Sequence, residues 1–171
     1  MDLIFVDEPP AREIIEPVLI SGAGSLNYNG VKYIVAQEDG IIQFCFEIRY
    51  EYSCSPFRDA MIIDGLLAVG FEEYFYLYSL NTKSDLLCLK MDGYFGYLYL
   101  NEGMLYVADA GYVYCIDRKA IIKWKSGPLG IDGVIINDFD AAKISGEGEW
   151  DPPGGWLDFV LDKNTGTILE S

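Results

Sequence analysis

The sequence of 171 residues contains no histidine. That removes the side chain that most often serves as a general base near neutral pH and most often ligates a metal. Triads of Ser or Cys with His are excluded, and so are zinc sites built on His. Basic residues are scarce: 12 Lys and Arg stand against 27 Asp and Glu, a formal net charge of −15. Nucleic-acid binders neutralise phosphates with Lys and Arg, so no nucleic-acid partner is expected. Docking on an anionic membrane is opposed in the same way. No apolar run approaches the roughly 18 residues of a spanning helix. The N-terminus, MDLIFVDEPPAREIIEP, has no basic n-region and no long apolar h-region, so no signal peptide is expected. None of the four cysteines forms a CxxC pair, and Cys45, Cys88 and Cys115 sit in apolar runs. Buried, reduced thiols and a cytoplasmic location follow as expectations.

What is present is apolar and β-forming. Hydrophobic residues make up 51% of the chain, far too many for a disordered acidic tail. Short runs rich in β-branched and aromatic residues alternate with Gly, Asn and Asp turns. They include KYIVA (32–36), IIQFCFE (41–47), LLAVG (66–70), YFYLYSL (74–80), DLLCLKM (85–91), YLYL (97–100), MLYVA (104–108), YVYCID (112–117) and IIKWK (121–125). Only Pro10 to Glu16 and Pro56 to Asp59 leave room for a turn of helix.

The runs repeat. Leu66 and Met104 are 38 residues apart, as are Tyr74 and Tyr112, and Gly65 and Gly103. Units near 31–65, 66–103, 104–141 and 142–171 each read as strand a, tight turn, strand b, polar turn, strand c, then usually strand d. Residues 1–30 supply N-terminal strands or a cap. Four short strands per roughly 40 residues is the signature of a propeller blade. The turn Asp162-Lys163-Asn164-Thr165-Gly166, followed by Thr167-Ile168-Leu169, resembles the b–c turn of quinoprotein-like propeller blades. The predicted fold is all-β, a single domain of antiparallel β-propeller-like repeats. It is either a partial (half) propeller or a small four-bladed ring, closed by a strand at Leu3–Asp7 or Glu13–Ile20. An ordinary antiparallel sandwich or barrel is the competing architecture.

Blade geometry gives the charge a direction. The a–b turns hold Glu38 and Asp39, Glu72 and Glu73, Asp109, and Glu147, Glu149 and Asp151. The b–c turns hold Lys83, Arg118, Lys119 and Lys163. One acidic face would attract a cationic partner and hold it by complementarity. The stretch Gly146-Glu147-Gly148-Glu149-Trp150-Asp151-Pro152-Pro153-Gly154-Gly155 reads as an insertion into the last a–b turn and a binding loop. Trp supplies large contact area at modest entropic cost. Its acids do not match the ligand ladder of a calcium loop. Tyr74 and Tyr112, beside the acidic turns, complete the expected partner-binding set.

Enzyme readings are weak, and no catalytic residue, metal or cofactor is expected. No phosphate-cradling motif is present. Ser21-Gly22-Ala23-Gly24-Ser25 reads as a plain turn between strands, since its glycines lack the right spacing. Carboxylate pairs are abundant, but nothing marks one above the others. The profile, small, acidic, histidine-free and without an active-site signature, resembles immunity proteins of bacterial contact-dependent growth inhibition systems. The resemblance implies binding and neutralisation of a cognate basic toxin domain, in particular a ribonuclease whose active site the acidic face covers. The alternatives are a propeller-type scaffold or peptide-binding module, and a carbohydrate-active domain.

Overall fold

A computed structural model describes residues 1–11, 15–21 and 27–170. Sixteen strands and no helix are found among them. The first sheet takes β1 (Asp2–Val6), β2 (Val18–Leu19), β3 (Gly30–Glu38) and β4 (Ile41–Tyr50), in the order β1-β3-β4-β2. The second runs β5 (Arg58–Ile63), β6 (Leu66–Phe71), β7 (Tyr74–Ser79), β8 (Ser84–Lys90). The third runs β9 (Phe95–Asn101), β10 (Met104–Asp109), β11 (Val113–Ile116), β12 (Ile122–Lys125). The fourth runs β13 (Val134–Phe139), β14 (Lys143–Glu149), β15 (Trp156–Asp162), β16 (Ile168–Glu170). In the first, third and fourth sheets every pairing of the described strands is antiparallel except that of β2 with β4.

Each sheet forms because its strands alternate with period two and its turns supply the required dihedrals. Asp39-Gly40, Asp64-Gly65 and Glu102-Gly103 all have φ between 48° and 79°, the two-residue hairpin geometry that twists with its strands. The 38-residue period reappears in backbone hydrogen bonds. Phe95 N–H donates to Glu72 O, and Gly133 N–H to Ala110 O; Met91 N–H donates to Glu73 O, and Leu129 N–H to Gly111 O.

Contacts divide the chain into two units. The first comprises Met1–Cys54, Ala60–Val69 and Tyr76–Cys88. Its core includes Ile20, Ile34, Phe46, Ile48, Leu67 and Leu77, all nearly inaccessible. Phe46 meets Tyr78 edge-on with ring centroids 5.8 Å apart. The second comprises Ser55–Asp59, Gly70–Phe75 and Leu89–Ser171. Here Tyr106, Ala108, Val113, Cys115 and Trp124 of the third sheet pack on Val134, Ile136, Ile144, Phe159 and Leu161 of the fourth. Full burial of each large apolar side chain contributes about 1.5–3 kcal/mol.

The structure changes several expectations. The four-stranded sheets begin one strand earlier than the sequence units, so the strand read as d of one unit opens the next sheet. Both N-terminal strands complete the first sheet, and neither joins the fourth. Pro56 to Asp59 is not helical, since Arg58 and Asp59 already belong to β5. Pro10 to Glu16 falls partly, and the Ser21–Ser25 turn largely, outside the described residues. Cys45 and Cys115 are buried, but Cys88 is exposed because β8 is an outer strand.

The largest correction concerns Gly146 to Glu149, which is strand and not inserted loop. Gly146 and Gly148 face Phe159 and Leu157 across the pair. A Cβ on Gly146 would meet Ile135 O at 2.1 Å, and one on Gly148 would meet Leu129 O at 1.7 Å. The glycines are therefore inward positions where backbone packs on backbone, and Glu147 and Glu149 are the outward positions between them. Gly148→Ala is expected to cost about 3 kcal/mol, the upper range for overpacking. Glu147→Ala should cost well under about 1 kcal/mol. Urea unfolding midpoints of the two variants check this contrast.

Candidate functional site

The expected site residues divide by what surrounds them. Asp109 is 0% exposed, not a solvated turn residue. Its Oδ1 accepts the N–H groups of Gly111 (2.8 Å) and Tyr112 (2.7 Å). Its Oδ2 accepts the N–H of Asp92 (3.0 Å) and the hydroxyl of Tyr114 (3.2 Å). Burial raises its pKa above the ordinary carboxylate value, against the pull of these donors. Glu72, at 5% exposure, is also not a solvated acid; its Oε2 accepts the Ser55 N–H at 2.9 Å. The Ser55 hydroxyl in turn donates to Phe95 O at 2.8 Å. Both carboxylates tie linkers to turns, because a turn folded against a linker must satisfy that linker's amides.

Other members are engaged with bases. Lys90 lies 3.4 Å from Glu73 and 5.8 Å from the Tyr74 ring centroid. Lys125 sits 3.7 Å from the Tyr112 ring centroid and pairs with Asp92. Tyr74 and Tyr112 are thus half-buried lysine platforms at equivalent places in consecutive sheets. Tyr94 donates its hydroxyl to Asp132 O (2.5 Å) and Oδ1 (3.0 Å), and burial with that bond pushes its pKa up to about 12. Glu38 and Asp39 are exposed at the β3–β4 turn of the first unit.

The opposite turns are not simply basic. Lys163 is 8% exposed; its Nζ donates to Glu102 Oε2 and Asp140 O, each at 3.0 Å. Arg118 Nε donates to Gly103 O at 3.3 Å. In the second unit Glu102, Asp117, Asp140 and Asp162 share these turns with Arg118, Lys119 and Lys163, so charge of both signs meets there.

An acidic surface with a single base lies on the fourth sheet, among the described residues. Its inward face carries Val134, Ile136, Ile144, Phe159 and Leu161, all buried. Register places Asp138 by Ser145, Glu147 by Asp158, Glu149 by Trp156, Lys143 by Asp162 and Val160 by Glu170, all on the other face. Six carboxylates and one lysine therefore share a face on which no side chain is buried. Glu147 Oε1 accepts from Asn137 Nδ2 at 3.0 Å. Glu149 Oε1 accepts the Gly154 N–H at 2.6 Å and so closes the β14–β15 turn. Trp150 N–H bonds Gly155 O, and Gly155 N–H bonds Asp151 O. Trp150 and Asp151 are exposed in that turn, and Trp156 and Leu157 are exposed at the start of β15. Asp138, Asp158, Glu170, Trp156 and Leu157 are outside the expected set, because the glycines of the GEGE stretch resemble loop and hide the strand alternation. The alternation through KISGEGE and WLDFVLD carries the missing signal.

With this geometry in view, solved structures that resemble the chain include BamB and hydrazine synthase. BamB from Moraxella catarrhalis matches 99% of it, with 11% identity and a TM-score of 0.58. Hydrazine synthase from Kuenenia stuttgartiensis matches 90% of it, with 12% identity and a TM-score of 0.56. The fold is propeller-like. The chain spans about half the length of these structures, 50% and 48% respectively. No family model and no curated protein matches the sequence. Among the described residues, no group of Cys, Asp and Glu is arranged to hold a metal ion.

Asp109→Ala is expected to lower stability by about 3 kcal/mol, since it orphans four donors, two of them in buried hydrogen bonds. A carboxyl whose pKa is higher folded than unfolded binds its proton more tightly in the fold. Its ionised form costs stability, and that cost is relieved as pH falls through the folded value. The thermal midpoint should therefore gain from Asp109 as pH falls through the range in which it protonates, a gain that Asp109→Asn lacks. Calorimetry across that range checks the sign.

Proposed function

We propose that this protein is a propeller-type binding module that holds a basic protein on the outward face of its fourth sheet. The observation that carries this reading is the one-sidedness of that sheet. Its inward face is apolar and packed, and its outward face bears Asp138, Glu147, Glu149, Asp158, Asp162 and Glu170 against Lys143. Fixed carboxylates on strands are better placed for complementarity than carboxylates on loops, because the sheet holds their spacing. The propeller-like fold supports a scaffold role but does not name a partner.

A second reading is neutralisation of a basic toxin, in particular a nuclease, by covering its active site. The same carboxylate face favours it. A nuclease cleft holds phosphates with Lys and Arg, and a rigid row of acids can occupy it as a substrate mimic.

Affinity capture from lysate of the source cells at about 50 mM salt tests the first reading. The expected catch is a basic protein released by 0.5 M NaCl and not retained by the double variant Glu147→Lys, Asp158→Lys, because screening weakens exposed charge pairs. Capture that is indifferent to salt and to both substitutions would remove the acidic face from the reading. The toxin reading expects more: the captured protein expressed alone arrests growth, and co-expression with this chain restores it.

A further inference from the structure

At the edge of the fourth sheet, where Leu157 and Phe159 lie on the inward side and Asp158 on the outward, the second unit carries an apolar cleft of about 390 Å³. Leu129 and Phe159, at 3% and 2% exposure, are its buried members. Trp150 and Leu157, at 40% and 56%, are its exposed ones. Pro128 and Ile168 extend the apolar lining, and Asp158 is the one charged residue among the described residues that line it.

The cleft is built from fixed parts. Its Pro128 and Leu129 wall belongs to the β12–β13 linker. That linker is held where Leu129 N–H donates to Gly111 O (2.8 Å), Ile131 N–H to Glu149 O (2.8 Å) and Gly133 N–H to Ala110 O (2.9 Å). Its Trp150 side follows the turn closed on Glu149. A volume at the small end of the roughly 300–1,000 Å³ of ligand pockets suits one or two apolar side chains better than a cofactor.

We propose that the cleft between Trp150, Leu157 and Ile168 seats a large apolar side chain of an extended, positively charged protein segment, whose neighbouring Lys or Arg residues face Asp158 and the adjoining carboxylates. This rests on the reading of the fourth sheet as a surface for a basic protein, and adds the anchor that fixes register. Charge selects the occupant. Asp158 lines the cleft, Glu149 and Asp151 flank Trp150 in the chain, and Glu147 pairs with Asp158 across the sheet. A second copy of this chain carries the same −15, so like charge opposes it. An anionic lipid surface is opposed for the same reason. Charge attracts the partner over distance, whereas an aromatic-lined apolar pocket decides which segment stays.

The test uses the whole chain labelled with 5-fluorotryptophan, with the Trp150 resonance assigned by Trp150→Phe. Three seven-residue peptides are the probes: Gly-Lys-Lys-Leu-Lys-Lys-Gly, the same with Ser for Leu, and the same with Glu for every Lys. The leucine peptide should shift the Trp150 resonance and leave Trp124, a core residue, unmoved. The serine peptide should bind at least tenfold more weakly, and Leu157→Ser should weaken the leucine peptide by a similar factor at unchanged melting temperature. Equal binding of the leucine and serine peptides would overturn the anchor and leave the acidic-face reading standing. Equal binding of the glutamate peptide would overturn the charge selection, and with it the acidic-face reading. No shift at Trp150 with any peptide would overturn the cleft inference, while the salt-dependent capture above decides the broader reading independently. Dimerisation in sedimentation that Leu157→Ser abolishes would assign the cleft to a second copy.

Discussion

The packing of Tyr106, Val113, Cys115 and Trp124 on Ile136, Ile144, Phe159 and Leu161 is the contact on which the larger unit depends. A four-stranded sheet is stable only when its apolar side is covered. The central strands of the third sheet, β10 and β11, have almost no accessible position on either face. The fourth is buried on one face only, and this fixes its sequence. Each of its strands must alternate, and where other backbone approaches closely, the inward residue must be glycine. Gly148 meets the linker at Leu129 O and Gly146 meets β13 at Ile135 O, and the glutamates beside them are the outward complement. The acidic face is thus a consequence of the same alternation that makes the core.

Acids in this chain do different work according to where the backbone needs acceptors. Asp109 and Glu72 stand where linkers fold against turns and leave amides in need of acceptors. A carboxylate there satisfies up to four donors at once. Ionising it away from water opposes that gain, which is why its pKa is raised despite its partners. Glu73 and Asp92 are balanced by Lys90 and Lys125. Much of the charge at the a–b turns is therefore spent within the fold. The net charge of −15 describes the whole chain and conceals this division.

The sequence was legible where period and turn chemistry agree. The 38-residue spacing of Gly65 and Gly103 marks true hairpins, and the runs named from 32 to 125 all fall on strands. It was illegible where one residue type serves two purposes. Glycine in GEGE looks like loop, because its usual role is conformational freedom; here its role is the absence of a Cβ. Aspartate in a turn looks solvated, yet Asp109 is fully enclosed, and nothing in Ala108-Asp109-Ala110-Gly111 reports that a linker from Met91 to Tyr94 will cover it. Sheet membership was also hidden, since strand order alone does not say where one sheet ends. Trp150 was legible as an exposed aromatic, whereas its neighbours Leu157 and Ile168 required the fourth sheet's register.

An acidic outward face has a simpler explanation than binding, and the two separate on particular residues. A sheet with an open face gains solubility, and protection from stacking, by carrying charge there. Asp138, Asp158 and Glu170 would satisfy that need without help. Solubility does not call for Trp156, Leu157 and Trp150 to be exposed on or beside the same sheet, because exposed large apolar groups work against it. Nor does it call for the Trp150 turn to be held by Glu149 and its own backbone, or for the Pro128–Gly133 linker to be pinned at both ends. Rigid apolar surface bordered by fixed charge is the combination that interfaces use, with the apolar part supplying affinity and the charge supplying rate and choice. A partner held there by charge would be released by salt, because screening weakens exposed charge pairs.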